Sequence, residues 1–164
     1  MAYTLQPMIK IRDMREDRAQ TALAQARRAR VQAEQVWEAK TEKRDKFEET
    51  KEERRDEIFK TVMGQIVSLD TLDEVRFAVG RIDEEAVLLE QDQRKAADEL
   101  EAKAQAAEVA HGQFVAAAKD LAKIQEHRKA WEEEDRKMQE MRADAEMEEF
   151  TGRKLVSEDD DTFD

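Results

Sequence analysis

Cysteine and asparagine are absent from this 164-residue chain, proline occurs once (Pro7) and glycine four times. Without cysteine there can be no disulfide, thiolate nucleophile or cysteine zinc site. With so little Pro, Gly and Asn, and serine only at Ser68 and Ser157, there is little material for turns. Six Phe, two Trp and one Tyr are too few for a thick layered core. The longest uncharged stretch, Val109 to Ala118, is about half of a membrane span, and the N-terminus has no signal-peptide apolar region. The chain is therefore expected to be cytoplasmic, with no membrane insertion. What is abundant is charge. There are 41 acidic and 29 basic residues, 43% of the chain, against about 25% in an ordinary globular domain. A net charge of −12 with a pI near 4.8 argues against general nucleic-acid binding, which requires phosphate neutralisation. A mean hydropathy of −0.92 would suit a disordered chain, but the apolar residues stand in register, as in long helices and coiled coils.

The register divides the chain once. A first helix is predicted over about 4–63, with Thr4 as N-cap and Pro7 in the first turn, where its missing N–H costs nothing. Ala19, Ala22, Ala26, Ala29, Ala33 and Val36 alternate at 3,4 spacing, a coiled-coil seam. Lys40, Lys43 and Arg54 continue that register and weaken it, while Leu23, Trp37 and Phe47 add bulk beside or within it. Gly64 is the predicted stop and 64–70 the turn. Thr71-Leu-Asp-Glu74 forms a capping box for a second helix over about 71–150, with Asp70 as an alternative cap. Residues 153–164 are expected to be an acidic, disordered tail beyond Gly152.

The second helix carries the stronger pattern. Its a and d positions begin Leu72, Val75, Val79, Ile82, Ala86 and Leu89, and end Trp131, Asp135, Met138, Arg142 and Ala145. Of these 22 positions 17 are apolar, over eleven heptads, with the exceptions clustering after Ile124. Two long amphipathic helices joined by a short loop pack as antiparallel neighbours. The predicted fold over 1–152 is all-α, an antiparallel two-helix coiled-coil hairpin with unequal helices, monomeric, with the longer second helix outrunning the first near the termini. A turn centred near Val67 sets the Ala19–Ala33 seam opposite Glu101–Phe114. Gly112 in that stretch permits close helix approach or is a tolerated weak spot.

No chemistry of an enzyme is visible. His111 and His127 are too far apart for a one-turn metal pair, and Glu132–Asp135 lack the glycine turn of a calcium loop. No phosphate-binding loop or nucleophile elbow occurs. The chain is expected to be non-enzymatic, with no cofactor and no metal. Two surface features remain. Residues 1–30 carry seven basic and three acidic side chains, including Arg12, Arg15 and Arg18, whereas residues 131–164 carry five basic and fourteen acidic. The arginines either dock on an acidic partner or pair with the acidic end of the second helix. At the turn, Val62, Ile66, Leu69 and Leu72 belong to an apolar cluster that either caps the seam or forms an exposed tip for a partner.

The opening Tyr3-Thr-Leu5-Gln-Pro7-Met8-Ile9-Lys-Ile11-Arg12, followed by Arg15-Glu-Asp-Arg18-Ala19, resembles the start of the YscO/FliJ family, and more its injectisome (YscO-like) branch than its flagellar one. These are coiled-coil stalk proteins of type III secretion systems, similar in shape to the γ subunit of rotary ATPases. The resemblance implies a central stalk that binds the hexameric secretion ATPase and promotes its assembly or activity. The paired termini would point at the ring pore. It also implies contact with the cytoplasmic domain of the export gate, and in some members with export chaperones, at the base of the secretion apparatus. By position, Arg12, Arg15 and Arg18 fall at the ATPase end, and Val62, Ile66, Leu69 and Leu72 at the opposite tip. Two alternatives stand beside this: an escort adaptor for export chaperones, and a structural coiled-coil spacer.

Overall fold

Two helices account for nearly all of the computed structural model, which describes residues 3–158 and the side chains of residues 3–149. Helix α1 spans Gln6–Lys60 and helix α2 spans Leu69–Glu158. No strand occurs among the described residues, and the fold is the all-α antiparallel hairpin expected.

The ends differ from expectation in instructive ways. The Leu5 carbonyl accepts from the Ile9 amide at 3.3 Å, so Leu5 stands at the N-cap position and Thr4 lies in the preceding turn, where the Tyr3 carbonyl accepts from Gln6. Pro7 does fall in the first turn. At the other end α1 stops at Lys60, not at Met63. The amides of Thr61 and Val62 bond three residues back, to Ile58 and Phe59, which tightens the last turn. Gly64 then takes a φ of +73°, the left-handed conformation that glycine adopts without a Cβ penalty.

Helix α2 starts earlier than the capping box at Thr71 suggested. Ser68 is the N-cap: its carbonyl accepts from the Leu72 amide at 3.1 Å, and its Oγ accepts from the Thr71 amide at 3.2 Å. Thr71 becomes the third helical residue, its hydroxyl 2.9 Å from Ser68 Oγ. Serine caps at least as well as threonine, and the shift brings the Asp70 carboxylate into the first turn, where the helix dipole favours it. At its far end α2 runs through Gly152 to Glu158 instead of stopping near 150. One internal glycine costs only about 1 kcal/mol, too little to end a helix followed by good formers. The rest of the expected disordered tail lies outside the described residues.

The described residues form two compact units, one of residues 3–19 with 114–158 and one of residues 20–113. In the second unit Phe47, Ile82 and Leu89 are buried together, with Ile58 and Ala86 packed against them, and the Arg54 guanidinium lies 5.2 Å from the Phe47 ring centroid. Polar layers lock the pairing. Lys40 Nζ donates to Asp92 at 2.8 Å, Arg44 Nη1 to Gln93 Oε1 at 2.6 Å, and Gln93 Nε2 to Thr41 Oγ1 at 3.1 Å. Nearer the turn Arg55 pairs with Asp83 and Arg54 with Glu85. Gln93, the first polar break in the α2 heptads, is thus satisfied across the helix pair. A polar residue at a seam position selects one register.

On α2 every expected a and d position from Val75 to Asp135 is buried or half-buried. On α1 the seam is corrected at three steps. Ala19, Ala26, Ala29, Ala33 and Lys40 turn inward as expected, but Ala22, Val36 and Lys43 are exposed, and Leu23, Trp37 and Arg44 take their places. For Leu23 and Trp37 the larger apolar side chain removes more area from water and takes the position, whereas Arg44 enters through its bond to Gln93. Gly112 does not mediate close approach: a Cβ built there meets nothing within 4 Å.

Candidate partner-binding surfaces

Within the terminal unit, Tyr3 is buried against α2. Its hydroxyl shares a 2.8 Å hydrogen bond with His127 Nδ1, and its ring centroid lies 5.9 Å from that of His127 and 5.4 Å from that of Trp131. An aromatic that ends its polar tip on a partner can close an otherwise thin seam. The sequence signal for this was slight, a lone tyrosine at the N-terminus and a histidine four residues before a tryptophan.

The three candidate arginines are not equivalent. Arg12 is half-buried and its Nη1 donates to the Asp120 carbonyl at 2.6 Å, so it ties α1 to α2. Arg15 and Arg18 are exposed, and neither forms an ion pair among the described residues. Pairing with the acidic end of α2, the alternative drawn from charge, fails on register. Tyr3 already reaches Trp131, so the acidic run from Glu132 onward lies past the start of α1. The contact that α2 offers these arginines is instead the Asp120 backbone carbonyl, which takes Arg12. Residues 136–149 are exposed without exception.

At the turn the four apolar candidates also separate. Val62 is half-buried beside the end of the seam, whereas Ile66, Leu69 and Leu72 are exposed, Leu69 at 82%. Met63 joins them, 74% exposed. The exposure continues along α2 at Phe77, Val87 and Leu88, which sequence reasoning missed. These three lie off the a/d register, and an apolar residue off the register of a two-helix coil has no helix to pack against. That was their available signal.

Among the described residues no group of three His, Cys, Asp or Glu side chains could hold a metal ion, and no helix is long and apolar enough to cross a membrane. The interhelical ion pairs range from half-buried, as Lys40–Asp92, to exposed, as Arg54–Glu85. The Lys40 ammonium bonded to Asp92 holds that carboxyl below the ordinary carboxylate range, first by the hydrogen bond and then by charge, and hydrogen bonding to Asp83 raises the Arg55 guanidinium in turn.

Comparison with known proteins identifies the family. The solved structure of CT670 from Chlamydia trachomatis, itself described as a candidate YscO homolog, is similar in fold, with a TM-score of 0.77 over 99% of either chain at 18% identity. No curated protein sequence matches the chain. The family model described as type III secretion protein YscO, however, matches residues 5–153, which takes in Arg12, Arg15 and Arg18, the whole turn and the heptads of both helices. The chain therefore belongs to the YscO family of type III secretion proteins.

Proposed function

We propose that this protein is the central stalk of a type III secretion apparatus, acting in the cytoplasm at its base. It binds the hexameric secretion ATPase, promotes its assembly or activity, and links it to the cytoplasmic domain of the export gate. The observation that carries the reading is the family match over residues 5–153. Two surfaces supply the means. Arg15 and Arg18, exposed near the N-terminus, suit an acidic rim of the ATPase, with Arg12 holding the helix pair beneath them. Ile66, Leu69 and Leu72, with Val62 at their base, suit an apolar contact at the export gate.

The test is ATP hydrolysis by the cognate secretion ATPase titrated with this protein. A saturable, several-fold rise is expected at low salt. The double reversal Arg15→Glu/Arg18→Glu should raise the half-saturating concentration about tenfold, since two charge contacts of about 0.7 kcal/mol each amount to that factor. Circular dichroism should show unchanged helicity for that variant. A flat response from a hexameric, active ATPase overturns the stalk and leaves the escort of export chaperones as the reading to pursue.

A further inference from the structure

Past its contact with Tyr3, helix α2 keeps an exposed coiled-coil stripe among the described residues. The d positions of the seam continue as Trp131, Met138 and Ala145 at intervals of seven, with Met141 alongside. Inside the hairpin the same line is covered by α1, and Ile124 on it is buried. Beyond Tyr3 it is open: Met138 is 47% exposed and Met141 58%. The stripe is thus an uninterrupted extension of an established interface.

The flanks of the stripe specify the occupant. The positions that border a coiled-coil seam choose its partner by charge. Here they include Glu134 and Glu146, with Glu132 bonded within the helix to Arg128 at 2.7 Å, and residues 132–149 hold nine acidic against three basic side chains. A second copy of the same segment would set acid against acid across the seam. A helix with basic flanks would meet opposite charge in the first and last heptads of the segment, with the neutral Gln139 and Met141 flanking the middle one.

We infer that residues 131–149 of α2 are a docking site for a basic amphipathic helix of a partner protein, one with an apolar stripe flanked by Lys or Arg, which takes up the line that α1 leaves at Tyr3. The segment is about 27 Å long, some two and a half heptads. Arg128, Asp135 and Arg142 at the alternate seam positions keep the seam half polar, so the contact belongs to the micromolar, exchangeable class. It uses neither Arg15 nor Arg18 and stands independently of the ATPase reading.

Amide hydrogen exchange on the full chain tests this, using as probe a synthetic helical peptide of about three heptads with Leu along one face and Lys at the flanking positions. The Lys flanks keep the peptide from pairing with itself. Exchange in residues 132–149 should slow by about fivefold or more at saturation, and a matched peptide with Glu flanks should bind at least about tenfold more weakly. Met138→Asp should abolish protection while leaving helicity unchanged, because its side chain is already half in water. Replacing Glu132, Glu134 and Glu146 together by Lys should reverse the preference between the two peptides. Equal binding of both peptides, protection indifferent to Met138→Asp, or protection that arises without peptide as the chain's own concentration rises would each overturn the proposal.

Discussion

Two glycines show how differently one residue type can stand. Gly64 sits at φ +73°, where any L side chain is strained, whereas Gly112 is helical and open. Gly112→Ala is expected to stabilise by about 0.5–1 kcal/mol, because alanine loses less backbone entropy on folding and meets no neighbour. Gly64→Ala should cost about 1–2 kcal/mol. Thermal melts followed by circular dichroism would check both, with midpoints moving in opposite directions by a few degrees. Asp92 supplies the pH dependence at this scale. Its folded-state pKa is depressed by Lys40, so its stabilising contribution is fully present above the unfolded value near pH 4 and is lost as pH falls through the lower folded value. The difference in melting midpoint between the wild type and Asp92→Asn should therefore shrink below about pH 4, and a difference constant from pH 7 to pH 3 would exclude the pair as its source.

At the scale of the element, the heptads of α2 were legible because their apolar positions are mostly large and unambiguous. Leu100 and Leu121 both lie on that face and are half-buried. An aspartate at either must carry its charge into the seam or pull the helices apart, and about 2–3 kcal/mol of destabilisation is expected. Glu133→Asp, on a fully solvated face, should change the melt by less than about 0.5 kcal/mol. Equal effects at all three positions would refute the heptad assignment. The α1 seam was half legible. Adjacent pairs such as Ala22/Leu23 and Val36/Trp37 both satisfy 3,4 spacing, and only the packing partner distinguishes them. Helix ends were least legible, since Ser68 and Thr71 are both competent caps and the choice depends on how far the turn must reach.

At the scale of the whole molecule, the net charge of −12 conceals an arrangement in which basic and acidic residues do not cancel. Arg15 and Arg18 are left to solvent while the acidic run of α2 lies beyond the start of α1. Exposed charges separated in this way act at a distance set by the Debye length, about 10 Å at 0.1 M salt. The ATPase stimulation expected above should therefore weaken steeply as salt rises from low to moderate, and the charge-reversed variant should lose most of that salt dependence. Stimulation indifferent to salt would point away from the arginines and toward an apolar contact.

The sequence by itself determined the fold class and the family. An apolar repeat of seven residues commits a chain to paired helices whatever their partners, and one coincidence of stop, turn and start signals leaves only a hairpin. Only the tertiary structure decided which residues remain available for binding. Arg12, Arg15 and Arg18 look alike in sequence, yet one is spent on the Asp120 carbonyl and two are not. The register of α1 against α2 decided the rest, because it exposes the acidic end of α2 and covers Tyr3. Register is a property of two segments far apart in the chain, set by which bulky and polar side chains interlock across the seam, and neither segment carries it alone.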